Sequence, residues 1–257
     1  MTEPAPLETG WQPTTPPDDT LLRAYTLNVA AASAVLADSL GGRTLVSDAY
    51  ALADVGRDAG FASSGVLLQP LGADFARVMA EIGAFYADGW GETMLMSPWP
   101  TPDLRPLGWG LVGHPPLHLL PPGRSAAPLP PGVRVGAVGD AAALTEWQRI
   151  AVLAYPFATL RRFGPHPLAG PAVLDDARMR FWLAFADERP VGAAQTFTEA
   201  GVTQVMLVAT LPAARRRGIG AALTWAAALA DPALPALLLS SDEGRPVYAR
   251  MGFLPLL

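Results

Sequence analysis

Two tight turns constrain the second half of this sequence more than any other feature. Asp187 to Pro190 and Glu199 to Gly201 separate three apolar runs: Met179 to Ala186, Val191 to Thr198 and Val202 to Ala209. Connections this short can join only antiparallel neighbours, so the three runs form a meander. Upstream, Val133 to Val138 reads as a strand, and Asp140 to Ala154 as a helix with Asp140 as its N-cap. Residues 155–175 read as an irregular loop. Downstream, a helix from Gly218 to Ala230 stops at Asp231-Pro232, and Ala236 to Leu239 reads as a buried strand. Pro246 to Met251 is a short helix that Gly252 ends. The order β-α-β-β-β-α-β-α predicts a mixed α/β fold: a largely antiparallel sheet with flanking helices, whose meander feeds a single βαβ crossover.

The clearest break in the chain is 121–132. Its proline clusters, Pro121-Pro122, Pro128 and Pro130-Pro131, can sustain neither a helix nor a ladder. It is expected to be a linker between a first domain, 18–120, and a second, 133–257. Residues 1–17 are proline-rich with few apolar anchors and read as a flexible tail. In the first domain, Leu21 to Leu40 and Phe75 to Tyr86 carry helical periodicity, and Val66 to Leu68 and Thr93 to Met96 read as strands. Trp109 to Leu120 contains Pro115-Pro116, which predicts edge strands or a hairpin.

Composition narrows the chemistry. With 257 residues, 51% hydrophobic and 16% charged, the chain can bury a substantial core. It has no cysteine, which excludes thiol nucleophiles, disulfides and Cys-ligated metals. All 18 basic residues are arginine, so Schiff-base chemistry and a P-loop lysine are excluded as well. A net charge of −5 argues against nucleic-acid binding. The start, Met1 to Thr20, lacks the basic and apolar regions of a secretory signal, and no apolar run reaches the roughly 18 residues of a membrane span. The expectation is a cytoplasmic protein with no membrane and no metal site. Oligomeric state is not legible.

The segment richest in chemistry runs from Val208, Ala209 and Thr210 to Arg215, Arg216, Arg217, Gly218, Ile219, Gly220 and Ala221. A strand ends, a loop follows, and a helix opens at two glycines. Gly218 and Gly220 let backbone N–H groups approach a ligand closely. The first N–H groups of a helix lack intrahelical partners, and the helix dipole favours anions there. Three arginines at that end oppose the dipole, at a cost of roughly 0.3–1 kcal/mol each when exposed. They make sense if a polyanion sits in the turn, where guanidinium forks pair with phosphate oxygens; a solvated arginine cluster at a loop tip is the plainer alternative.

These residues resemble the coenzyme A signature of the GNAT acetyltransferase superfamily, Arg/Gln-x-x-Gly-x-Gly/Ala, matched by Arg215, Gly218 and Gly220. Downstream, Tyr248, Gly252 and Phe253 are similar to the family's second signature, Tyr-x-x-x-Gly-Phe. The resemblance covers about 132–257. It implies that acetyl-CoA binds where two strands splay apart, with its pyrophosphate on the N–H groups from Arg216 to Ala221. The pantetheine would pair with the strand edge from Val208 to Thr210. It further implies direct transfer of the acetyl group to an amine acceptor, with no covalent enzyme intermediate. Tyr248 is then the candidate catalytic acid, because a phenol can protonate a departing thiolate, whose conjugate acid has a pKa near 8.5. A core tyrosine on a short helix is the plainer alternative.

No general base is legible. Glu199, Asp187 and Glu146 are candidates, each as readily a solvated surface acid, and His166 is as readily a loop histidine. Gln204 stands where many family members carry an acid and cannot act as a base. His114 and His118 lie in no metal-binding pattern. The family fold continues past Phe253 into a strand and its hairpin partner. Leu254 to Leu257 can supply little of this, so another element is expected to cover that sheet edge. The first domain offers one. In one register Ala87-Asp88 aligns with Ala230-Asp231 and Ser97 with Ser240, with Gly108-Trp109 opposite Gly252-Phe253 after a one-residue slip. In that register Leu104 or Arg105 falls where Tyr248 stands, and no glycine signature appears. This reads as a tandem arrangement whose first copy is degenerate and non-catalytic, packing on the second sheet and shaping the acceptor pocket with Trp90, Trp99 or Trp109, each as readily a core filler. Two other functions stay open: a non-catalytic acyl-CoA-binding module, and a dinucleotide-binding oxidoreductase built on Gly218 and Gly220, with Asp242 or Glu243 following.

Overall fold

The computed structural model describes residues 20–58, 62–89, 91–155 and 158–256. The segment read as a tail, 1–17, and Trp90 lie outside them. Helix α1 (Leu21–Ser39) opens where the Thr20 hydroxyl accepts from Arg23 N at 3.1 Å. Three antiparallel strands follow: β1 (Arg43–Val46), β2 (Tyr50–Asp54) and β3 (Ser64–Leu67). Helix α2 (Phe75–Tyr86) crosses over to β4 (Met94–Met96), which pairs parallel with β3. The four strands form one sheet in the order β1-β2-β3-β4.

The second sheet has seven strands. Its elements are β5 (Leu117–Leu120), β6 (Val133–Ala137), α3 (Ala141–Ala154), β7 (Met179–Ala186), β8 (Arg189–Glu199), β9 (Val202–Thr210), α4 (Ile219–Ala228), β10 (Ala236–Leu239), α5 (Arg245–Met251) and β11 (Leu254–Pro255). Their order is β11-β5-β10-β9-β8-β7-β6, antiparallel except for the β9–β10 pair that α4 connects. From β6 onward the element order is the one the turns predict. The Asp140 carboxylate caps α3 by accepting from Ala143 N at 2.8 Å, and Gly252 ends α5 in a left-handed conformation (φ 89°).

Strand β5 departs from expectation. It is an interior strand, paired on one side with β10 (Leu117 opposite Leu239, Leu120 opposite Ala236) and on the other with β11 (Leu119 opposite Leu254). Pro115 and Pro116 stop just short of it, so no ladder N–H is lost. The strand that pairs with both β10 and β11 thus comes from ahead of the proline-rich segment. That segment, 121–132, follows a strand of the second sheet and leads into another.

The two sheets trace the same path: a helix, three antiparallel strands, a helical crossover and a parallel strand. Helix α1 lies between them. Ala32 and Ala37 share one apolar cluster with Ala53 and Val55 of the first half and with Trp147, Ile150, Phe181 and Phe197 of the second. On the opposite face of the second sheet, α4 and α5 pack through Ile219, Leu223 and Met251 onto Ala184, Ala194 and Val205. Fully buried Asn28 of α1 donates through Nδ2 to the carbonyls of Phe197, Glu199 and Val202 at 3.2, 3.1 and 3.2 Å. One side chain of the first half thereby closes the β8–β9 turn.

Candidate functional site

The site begins where β9 and β10 part. Their register holds only at Ala236 with Thr203 and at Leu237 with Gln204. Beyond that, β9 runs on through Met206 to Thr210 with no partner on the β10 side among the described residues, while Leu238 and Leu239 stay paired with β5. A bulge helps to open this gap. Ala193 faces Ala209 and Gln195 faces Met206, so Leu207 and Val208 together oppose Ala194. Leu207 takes the left-handed conformation (φ 49°), costly for a branched side chain and held only by its surroundings. Buried Trp147 donates through Nε1 to the Ala194 carbonyl at 2.7 Å, completing the acceptor opposite the bulge.

At the far end of β9 the chain turns through Pro212–Ala214 into the arginines and then into α4. Arg216 (φ 65°) and Gly218 (φ 76°) are both left-handed. The Ala222 N–H donates to the Gly218 carbonyl at 3.0 Å. The N–H groups of Ile219, Gly220 and Ala221 therefore have no intrahelical acceptor, and no side chain caps them. The two glycines differ in kind. A Cβ on Gly218 would stand 2.8 Å from Pro130 Cγ, so the fold itself requires glycine there. A Cβ on Gly220 would meet only Thr210 Oγ1, at 3.9 Å; the space ahead of Gly220 is empty of protein. Arg215 folds back and donates from Nε to the Thr210 carbonyl at 3.2 Å. Arg217 lies 3.5 Å from the exposed Asp187 carboxylate. Arg216 has no ion pair among the described residues. This turn therefore offers free N–H donors and lightly committed guanidinium groups to an anion.

Tyr248 stands on α5, half-buried, with its ring 5.7 Å from that of Phe253. Burial pushes its phenol above the ordinary value. Tyr155, at the C-terminal end of α3, was missed in the sequence. Its hydroxyl donates to the Val208 carbonyl at 2.9 Å, on the strand segment past the point where β9 and β10 part. Burial pushes this phenol well up, and nearby Tyr248 adds to the shift. Tyr155 closes α3 ahead of Pro156, a position that gives no hint of a bond to a strand more than fifty residues on.

The base candidates are scattered. Glu199 bonds Arg178 Nη1 at 2.8 Å, Glu146 bonds Arg149 Nη2 at 2.6 Å, and Asp187 faces Arg217. His166 Nδ1 lies 3.0 Å from Gln148 Nε2. Gln204 donates weakly to the buried Tyr25 hydroxyl at 3.4 Å. His118 is buried with Nδ1 3.2 Å from the Pro116 carbonyl, and His114 is exposed. Among the described residues no three His, Cys, Asp or Glu side chains gather where a metal could sit, and no helix is long and apolar enough to cross a membrane. Trp99 and Trp109 pack against the core of the first sheet, around Leu52, Leu67 and Ile82. At the position matching Tyr248, Arg105 opens a 3-10 turn and bonds Asp103 Oδ2 at 2.8 Å.

A mixed sheet whose single parallel pair splays beside an uncapped helix N-terminus is not the parallel doubly wound sheet of a dinucleotide-binding oxidoreductase. Residues 177–255 match the family model described as "Acetyltransferase (GNAT) domain". Among solved structures, a GCN5-related N-acetyltransferase from Kribbella flavida is similar at 28% identity and a TM-score of 0.60, over 88% of this chain and 91% of that one. A conserved protein of unknown function from Staphylococcus epidermidis shares the fold at 14% identity and a TM-score of 0.58, over 84% and 91% of the two chains. A protein assigned to the GNAT family from Novosphingobium aromaticivorans does so at 19% identity and 0.51, over 88% and 93%. No curated protein matches the chain. The chain thus shares the fold of GNAT acetyltransferase structures, and the family model itself is matched over residues 177–255.

Proposed function

We propose that the protein is an acetyl-CoA-dependent N-acetyltransferase that passes the acetyl group directly from the thioester to an amine. The observation that carries this reading is the splay of β9 from β10, which leads to a helix N-terminus with unpaired N–H groups and arginines at its mouth. The pyrophosphate would sit on the N–H groups from Arg216 to Ala221, with Arg215, Arg216 and Arg217 pairing phosphate oxygens. The pantetheine would lie along Val208, Ala209 and Thr210. The amine nitrogen attacks the thioester carbonyl, the C–N bond forms, the C–S bond breaks, and the leaving thiolate takes a proton from the Tyr248 hydroxyl, which regains one from solvent before the next turnover. A phenol held protonated by burial suits that role. Glu146 and Glu199 stand in arginine pairs and Asp187 faces Arg217, so the proton lost by the amine passes to solvent. The first half, as a degenerate copy, supplies β5 and α1 to this fold rather than a second site. A cytoplasmic setting, where acetyl-CoA is at hand, belongs to the same reading.

Calorimetric titration with acetyl-CoA, followed by a thiol-release assay over an amine panel, tests it. Acetyl-CoA is expected to bind and nicotinamide dinucleotides are not. Joint replacement of Arg215 and Arg217 by alanine should weaken acetyl-CoA about 10-fold or more, through lost charge-assisted bonds. Binding without turnover of any amine would favour the acyl-CoA-binding module instead.

A further inference from the structure

The loop after α3 meets the first half at a cluster of arginines that the acyl-CoA turn does not use. Arg162 Nη2 bonds Asp58 Oδ2 at 2.7 Å, joining the second half to the loop after β2. Arg57 and Arg162 both lie on the ring of Phe163, with guanidinium carbons 5.9 and 4.9 Å from its centroid. Arg57 has no ion pair or hydrogen bond among the described residues, and its Nε is buried without an acceptor. A buried donor left unpaired is costly, and a ligand oxygen is one thing that would complete it. Phe163 packs on the same apolar cluster as Tyr155, Met206 and Leu207, the residues that border the splay. The arginine pair therefore lies on the α3 side of the sheet, the side from which Tyr155, Met206 and Leu207 border the splay.

We propose that the acceptor is a small amine that also carries a carboxylate, held by Arg57 and Arg162 where the two halves meet. This rests on the acyltransferase reading above. The charge balance favours a singly charged anion over a phosphate: Asp58 already offsets Arg162, which leaves about one guanidinium charge uncompensated. Flat guanidinium groups stacked on a ring are pre-organised for a planar carboxylate. With its acid end fixed at the seam, the amine end points the molecule toward the splay, where attack takes place.

The test compares each of the common amino acids with its C-terminal amide in the thiol-release assay. The acid is expected to exceed its amide in kcat/KM by about 10- to 100-fold, mostly through KM, the span of a charge-assisted hydrogen-bond pair. Arg57→Gln should collapse that ratio toward one, and Asp58→Asn should raise it. Equal use of acid and amide by the parent, or a preference that survives Arg57→Gln, overturns the proposal. A second arm needs no turnover: titration of the CoA-loaded protein with N-acetyl amino acids against their amides should show the same preference and the same response to both variants, and its absence also overturns the proposal. Failure of acetyl-CoA to bind the parent would refute the acyltransferase reading and is read separately.

Discussion

The two glycines at the start of α4 allow the needs of the fold to be separated from those of the proposed anion site. Gly220 lies in the first turn of α4, where the backbone is helical and an added Cβ meets nothing closer than Thr210 Oγ1 at 3.9 Å. Alanine loses less backbone entropy than glycine in a helix, so Gly220→Ala should stabilise the protein by up to about 1 kcal/mol. For a chain of this length that raises Tm by about 2–4 °C. The signature matched here admits alanine at this position, so Gly220→Ala should leave acetyl-CoA affinity nearly unchanged, whereas the branched side chain of Gly220→Val would fill the space through which a phosphate approaches the N–H groups of Gly220 and Ala221. Losing one charge-assisted bond there costs about 1.5–3 kcal/mol, or roughly 10- to 100-fold in acetyl-CoA affinity. Gly218→Ala should behave oppositely. Its left-handed backbone (φ 76°) and the 2.8 Å approach to Pro130 make alanine destabilising by about 1–3 kcal/mol, with or without ligand. The assays are urea unfolding without ligand and calorimetry with acetyl-CoA. If Gly220→Val binds acetyl-CoA as tightly as the parent, the turn is not an anion cradle and the arginines in front of it serve another purpose.

Two further expectations follow from the same geometry. Tyr248→Phe should lower kcat by about 100-fold or more while leaving the acetyl-CoA dissociation constant nearly unchanged. Because burial raises the Tyr248 phenol above its ordinary value of about 10, the acid form persists to high pH, and kcat should show no alkaline decline below about pH 10; an earlier decline that vanishes in Tyr248→Phe would remove it from the acid role. Asn28→Ala should destabilise the whole chain by about 2–4 kcal/mol, since two buried carbonyls and one part-buried carbonyl around the β8–β9 turn lose their common donor; a change under about 0.5 kcal/mol in urea unfolding would show the two halves to be held by α1 packing alone.

Much of the second half was legible because its signals are local. Apolar runs between tight turns fixed β7, β8 and β9, and a capping aspartate fixed the start of α3. The glycine–arginine turn could be placed between a strand and a helix from neighbouring residues alone. In the first half, β1 and β2 escaped for an opposite reason. Strand β1 is an edge strand exposed throughout, whereas β2 is buried on both faces between α1 and α2, so neither carries the alternation that marks a half-buried strand. Tyr155 and Arg57 escaped because their roles rest on contacts with distant segments. A tyrosine before a proline, or an arginine in a loop, looks the same whether or not a carbonyl or a ring waits for it.

By itself, then, the sequence determined the order of elements from β6 to α5 and the place of the glycine–arginine turn between β9 and α4, since periodicity, caps and glycine conformations act over a few residues. Only the tertiary structure decided that Leu117–Leu120 joins the second sheet between β10 and β11, that Asn28 of the first half secures the β8–β9 turn, and that Arg57 meets Arg162 on one ring. A four-residue apolar strand can pair with any open edge. Which edge it takes is settled by burying the largest apolar area with every backbone group paired, a sum over the whole chain that no short window contains.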